Sequence, residues 1–85
     1  MKIAISSIDC SKEIELAVNL KKEGYDVHIF TPSLFGYRMT EGIEGILVHR
    51  VESVPNRYSD LYTENATKLI NEIGGFEELY QLKTI

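Results

Sequence analysis

Two short apolar segments with a helix-forming segment between them constrain the fold of this chain most strongly. Residues 2–7 are centred on the apolar run Ile3-Ala4-Ile5, as in a strand of a parallel sheet covered on both faces, and residues 26–31 are rich in β-branched and aromatic side chains. Residues 12–23 are mainly strong helix formers, and Gly24 suits a left-handed helix cap. This order predicts a βαβ unit with parallel strands and a right-handed crossover.

The ends and the apolar face of the first helix can also be predicted. Ser11 is a suitable N-cap, and Glu13 lies where the first helical turn favours a negative charge. Lys21 and Lys22 suit the last turn for the opposite reason. We expect a broad apolar stripe to face the sheet, formed by Ile14, Leu16, Ala17, Val18 and Leu20.

The second half of the chain repeats the alternation of strand and helix. Residues 32–45 contain a proline and three glycines and predict a long loop, and residues 46–51 predict a third strand. A second helix is predicted from Ser59 or Asp60 to Ile73, ended by two glycines. Its expected buried face consists of Tyr62, Ala66, Leu69, Ile70 and Ile73.

These elements predict one small α/β domain over residues 1–85, with a three-layer, Rossmann-like architecture. The parallel sheet has three or four strands, in the order 3-2-1, with a fourth strand beside the first if residues 76–82 are extended. Residues 76–85 leave both a strand and a helix open.

Composition excludes several classes of function. A formal net charge of −4 in 85 residues argues against a nucleic-acid-binding module, which usually carries a basic face. A single cysteine excludes an internal disulfide and a multi-cysteine zinc site, and we predict no metal and no cofactor. The apolar runs are too short for a membrane span or a secretory signal, so we expect a cytoplasmic protein.

Four segments together resemble one enzyme family. They are Met1–Ser6, the run from Glu15 to Pro32 that contains Gly24-Tyr25-Asp26-Val27-His28, the run from Glu41 to Val51 that ends in Val48-His49-Arg50-Val51, and Asn65–Phe76. Their order and spacing resemble the start of glycogen-synthase-like glycosyltransferases of the GT-B fold. In that family two Rossmann-like lobes face each other, and the N-terminal lobe mainly handles the sugar acceptor.

The resemblance implies the acceptor-side N-terminal lobe of a nucleotide-sugar-dependent glycosyltransferase. The family's glycine pair after the first strand is absent, because the corresponding loop reads Ser7-Ile8-Asp9-Cys10-Ser11. The family's histidines after the second helix are absent as well. We therefore predict no catalytic residue and a chain that is inactive alone.

Two groups of residues are candidates for binding. Ser7, Asp9 and Ser11 follow the first strand, at the sheet edge where open α/β folds bind ligands, although helix capping alone could explain Ser11. The aromatic loop around Leu34, Phe35, Tyr37 and Arg38 is a candidate interface, with folding onto the open sheet edge as the alternative. Cys10, His28 and His49 are expected to be structural, since each lacks a catalytic or metal-ligating neighbour in sequence.

Three functions remain open on this basis. The chain could be a glycosyltransferase-like lobe that is inactive alone. It could be a non-enzymatic interaction subunit that forms a homo-oligomer or completes a separately encoded glycosyltransferase lobe. It could also be a small module that binds a sugar phosphate or a nucleotide sugar.

Overall fold

A computed structural model describes residues 1–7, 10–33, 38–52 and 58–80 of the chain; the side chains of residues 10–12 and 58–60 lie outside this description. Within these ranges the chain forms five strands and two helices. In chain order they are β1 (Lys2–Ser6), α1 (Cys10–Lys22), β2 (Asp26–Pro32), β3 (Met39–Ile43), β4 (Ile46–Val51), α2 (Tyr58–Ile73) and β5 (Glu78–Tyr80).

The strands form one mostly parallel sheet in the order β3-β4-β2-β1-β5. β1 pairs in parallel with β2 and β5, and β2 pairs in parallel with β4. The α/β class is thus confirmed, and the four parallel strands lie in the predicted relative order. The sheet has one strand that was not predicted, because β3 pairs antiparallel with β4.

The β3 strand corrects the prediction of a loop over residues 32–45. Glu44 and Gly45 connect β3 to β4, and both have positive φ angles, of 51° and 82°. Two consecutive residues with positive φ form the tight turn that matches the twist of a hairpin. The register Ile43↔Ile46 follows directly from this two-residue turn.

The first helix ends as predicted, but its start and one face differ. Gly24 has φ +98°, and the Tyr25 amide donates to the Leu20 carbonyl at 3.2 Å, as in a glycine-capped helix end. α1 begins at Cys10, so the prediction of Ser11 as N-cap is wrong and Ser11 lies in the first turn. Leu16 is 46% exposed, because it lies two positions from buried Ile14 and so points away from the sheet.

Each helix covers one face of the sheet, which gives three layers. α1 buries Ile14 and Ala17 against one face, in a core with Ile3, Ile5, Val27, Ile29, Ile46 and Val48. α2 covers the other face with its predicted apolar stripe; Tyr62, Ala66, Leu69 and Ile70 are buried with Ala4, Phe30 and Val51, and Ile73 packs against them. Adjacent strand residues alternate between the two cores, as the pleat requires.

The end of α2 leads directly into the edge strand β5. Gly74 and Gly75 have φ angles of 75° and 83°, and the Gly74 amide donates to the Ile70 carbonyl at 2.9 Å, which ends the helix as predicted. β5 then pairs with β1, so of the two alternatives for the tail the strand is observed over residues 78–80. All three of its residues are exposed.

Candidate functional site

The carboxyl end of β1 and the first turn of α1 place a hydroxyl and a carboxylate side by side. The Ser7 amide donates to the Phe30 carbonyl at 2.9 Å, which holds Ser7 at the end of β1. The Ser7 hydroxyl donates to Oε2 of Glu13 in the first turn of α1, at 2.7 Å. Ser7 is 9% exposed and Glu13 is half-buried, so the carboxylate is the more accessible member of this pair.

A buried tyrosine stabilises the same carboxyl ends of β1 and β2 from the opposite face of the sheet. The Tyr62 hydroxyl on α2 donates to the Phe30 carbonyl at 2.8 Å, and the Ser6 hydroxyl is hydrogen-bonded to the Tyr62 oxygen. Burial raises the pKa of Tyr62 to about 12, while the hydrogen bond with Ser6 opposes this shift. Tyr62 is therefore a neutral anchor that joins α2 to β1 and β2.

The other predicted ligand-binding residues can be placed only in part. Asp9 lies outside the described residues, and Ser11 belongs to α1 with its side chain outside the description, as does the side chain of Cys10. Glu13 was expected only to favour the helix start. Glu13 lies three residues after the helix start and close to the end of β1, and this position was the only sequence signal for a role at the site. The contact between Glu13 and Ser7 could not be predicted, because it depends on how α1 packs against the sheet.

Of the predicted interface residues, Arg38 is described, whereas Leu34, Phe35 and Tyr37 lie outside the described residues. Arg38 Nη1 is 3.4 Å from Glu72 Oε2, and both side chains are more than half exposed. They line a shallow groove of about 150 Å³ beside α2, together with Val51, Glu52, Asn65, Lys68 and Leu69. Its exposed charges of both signs favour neither an anionic nor a cationic ligand.

The two histidines, expected to be isolated strand residues, lie against each other on the α2 side of the sheet. His28 Nδ1 is 2.9 Å from His49 Nε2. The ring centroids are 5.1 Å apart and the ring planes differ by 4°. A nitrogen separation this much shorter than the centroid separation means that the rings meet edge to edge in a shared plane, rather than stacking face on face.

Both rings are buried and continue into further polar contacts. His28 Nε2 lies 3.2 Å from Oδ1 of Asp26, and His49 Nδ1 lies 3.1 Å from the Thr40 hydroxyl. Phe76 packs its ring perpendicular to that of His28, at a centroid distance of 5.2 Å. Sequence reasoning missed this cluster because the two histidines are brought together by strand register alone.

Burial keeps both imidazoles neutral near pH 7. Desolvation lowers the pKa of His49 to about 4, with the positive charges of a protonated His28, Arg38 and Lys2 acting in the same direction. Desolvation also lowers the pKa of His28, although Asp26 opposes it.

Among the described residues, no group of three or more histidine, cysteine, aspartate or glutamate side chains is arranged to hold a metal ion. Neither described helix has the length and apolar character needed to cross a membrane. Comparison of the chain with protein-family models, with curated proteins and with solved structures gave no match.

Proposed function

We propose that this chain is a small Rossmann-like domain that binds a neutral sugar at the carboxyl edge of its sheet. Its role would be that of the acceptor-side lobe of a glycosyltransferase, without catalytic activity of its own. The observation that carries the proposal is the Glu13 carboxylate held by the Ser7 hydroxyl at 2.7 Å. This edge is where open α/β sheets bind ligands.

The charge of this edge favours sugar hydroxyls over phosphate. An ionised carboxylate has only acceptor sites, so Glu13 can receive hydrogen bonds from a sugar hydroxyl but repels a phosphate. The chain's net charge of −4 adds to this repulsion. Ser7 is buried and already donates to Glu13, so its part is to orient the carboxylate.

The described residues at this edge support a binding role more than a catalytic one. Tyr62 is neutral, with a pKa of about 12, and its hydroxyl is engaged by Ser6 and by the Phe30 carbonyl. A general base needs a pKa closer to the operating pH and a free position toward the substrate. We therefore assign Tyr62 a structural role, in which it holds the carboxyl ends of β1 and β2 in place.

Nuclear magnetic resonance titration tests the proposal on the 85-residue chain. A neutral oligosaccharide such as maltotriose should shift the amide signals of Ser7 and Glu13, whereas a nucleotide sugar or glucose 1-phosphate at the same concentration should leave them unchanged. Glu13→Gln should weaken the effect at least about fivefold, because the neutral amide is a poorer acceptor for hydroxyl groups.

The matched control is Glu15→Gln, which removes the same charge from an exposed position on the same helix. It should bind the oligosaccharide like the unmodified chain. Equal weakening by both variants, or signal changes caused by the phosphate ligands instead of the neutral sugar, would refute the proposal.

The alternative role as an interaction subunit is favoured by one separate observation. β5 lies at a sheet edge, and its Leu79 and Tyr80 are 52% and 45% exposed. Edge strands offer backbone groups for pairing with another chain. Antiparallel pairing of two copies about Leu79 would set Glu78 opposite Tyr80, which avoids placing two carboxylates together.

Light scattering at micromolar concentrations tests this alternative. A dimer that Leu79→Lys converts to a monomer would support pairing of two copies through β5. A monomer throughout the concentration range would rule it out and would leave the sugar-binding proposal unaffected.

A further inference from the structure

Four polar groups form a continuous chain across the three strands β2, β4 and β3. The order is Asp26, His28, His49 and Thr40, with contacts of 3.2, 2.9 and 3.1 Å. β2 contributes the first two groups, β4 the third and β3 the last. The side-chain contacts therefore tie the β3–β4 hairpin to β2, in addition to the backbone pairing.

The acceptor at one end sets the direction of every hydrogen bond. An ionised Asp26 can only accept, so the neutral His28 carries its proton on Nε2 and leaves Nδ1 as an acceptor. His49 must then donate from its own Nε2, and its Nδ1 accepts from the Thr40 hydroxyl. While both imidazoles are neutral, all three contacts are satisfied when each ring carries its proton on Nε2.

The pair accommodates one added proton but not two. A proton on His49 Nδ1 can be donated to the Thr40 oxygen, while the hydrogen bond between the rings is kept. A second proton on His28 Nδ1 would set two N–H groups against each other at 2.9 Å and place two positive charges in contact. The second proton therefore breaks the side-chain hydrogen bond that joins β2 to β4.

The surroundings of the pair oppose protonation, apart from one carboxylate. Asp26 on β2 is the favourable charge. Lys2 on β1 and Arg38 before β3 lower the pKa of His49, and Arg38 is itself paired with Glu72 of α2. The segment after α2 adds the uncharged Phe76 ring, packed edge-on against His28.

We propose that the Asp26–His28–His49–Thr40 chain is an acid-sensitive latch that holds the β3–β4 hairpin to β2 and releases it when both imidazoles are protonated. The device is independent of the sugar-binding proposal, since it lies on the α2 side of the sheet and shares no residue with the Ser7–Glu13 pair. The two histidines of the latch are the two histidines of the chain, so its titration can be observed without interference.

Ring-nitrogen magnetic resonance on the full chain gives the first test. At pH 7.5 both histidines should be protonated on Nε2 and unprotonated on Nδ1. On acidification the pair should take up its protons in two separate steps below the ordinary histidine range, as interacting sites do. An Nδ1-protonated form of either ring at pH 7.5, or two independent titrations near pH 6.5, would overturn the proposal.

Hydrogen exchange gives the second test. Between pH 7 and pH 4, protection of β3 and β4 amides should fall at least about tenfold relative to β1 amides, after correction for intrinsic rates. The double variant His28→Asn/His49→Gln retains an acceptor near the first ring position and a donor near the second, but does not titrate. It should lose this relative change, whereas Thr67→Val, at an exposed position on α2 outside the latch, should keep it because both imidazoles and Thr40 remain.

A double variant that shows the same relative loss of protection as the unmodified chain would refute the latch. If the double variant fails to fold, the ring-nitrogen titration of the unmodified chain still decides between a coupled pair and two independent histidines.

Discussion

His28 Nδ1 and His49 Nε2 lie 2.9 Å apart although the two residues are not register partners. In the pairing of β2 with β4, His28 is opposite Leu47, and His49 is opposite Phe30. The rings therefore meet diagonally, across one step of the pleat on the same face of the sheet. Diagonal neighbours of this kind are within reach of long and aromatic side chains.

The lowered pKa of His49 predicts a loss of stability in acid. The unfolded chain binds a proton near pH 6.5, while folded His49 does so only near pH 4. The stabilising effect is thus complete above pH 6.5 and is lost as the pH falls toward 4. We expect His49 alone to lower the free energy of unfolding by roughly 3 kcal/mol over this range.

Urea denaturation at several pH values measures this effect. Carboxylates add their own pH dependence, so the unmodified chain is compared with His49→Gln. Between pH 7 and pH 4 the free energy of unfolding of His49→Gln should fall by roughly 3 kcal/mol less than that of the unmodified chain. Parallel curves for the two proteins from pH 7 to pH 4 would contradict the prediction.

The Tyr62 hydroxyl is predicted to stabilise the fold. Tyr62→Phe removes the donor to the Phe30 carbonyl and the partner of the buried Ser6 hydroxyl. We expect the free energy of unfolding to fall by about 1–3 kcal/mol, because a buried polar group is left unsatisfied. Tyr80→Phe, at an exposed position, should change it by less than about 0.5 kcal/mol; an equal effect of both changes would exclude this role.

The hairpin turn should be sensitive to a side chain at Gly45 but not at Gly42. Gly45 has φ +82°, and an added Cβ would lie 2.9 Å from the Lys21 ammonium. Gly45→Ala is therefore expected to cost about 1 kcal/mol or more in the free energy of unfolding. Gly42 lies in β3 with open space where a Cβ would be added, so Gly42→Ala should be tolerated; thermal unfolding that ranks the two variants in the opposite order would disprove this account.

The two faces of α1 should respond differently to truncation. Ile14 is buried in the core, so Ile14→Ala should cost about 2–5 kcal/mol in the free energy of unfolding. Leu16 is half exposed, and Leu16→Ala should cost much less, about 0.5 kcal/mol or below. Denaturant unfolding of both variants measures which of the two side chains supports the core. Similar losses in the free energy of unfolding would instead support the broad apolar stripe predicted from the sequence, which includes Leu16.

The elements that were predicted correctly are those whose sequence signals lie within a few residues of one another. Gly24 ends α1 and starts the turn to β2, because glycine adopts the left-handed conformation of a helix cap with little conformational strain. The stripe from Tyr62 to Ile73 has the helical period and is packed against the sheet. The parallel strand order then follows from the preferred handedness of the crossover.

Features that depend on packing between distant strands were not predictable in this way. β3 contains a glycine, and its turn residues Glu44-Gly45 have positive φ without the usual asparagine or aspartate in first position. The His28–His49 contact requires the relative register of two strands, and the Ser7–Glu13 contact requires the position of α1 against the sheet. One sequence without structural context contains no direct signal for either distance.

The pairing of β1 with β5 has a consequence for how the domain is assembled during synthesis. Lys2 Nζ donates to the Gly74 carbonyl at 2.7 Å, across 72 positions of the chain, and β1 gains its second neighbour only from residues 78–80. The first βαβ unit, formed by β1, α1 and β2, can associate early because its contacts are close in sequence. The other edge of β1 can pair only after β5 has been synthesised. A nascent chain on the ribosome therefore leaves one edge of β1 without a neighbouring strand until residue 80 has emerged, and an unpaired edge of this kind favours aggregation or chaperone binding.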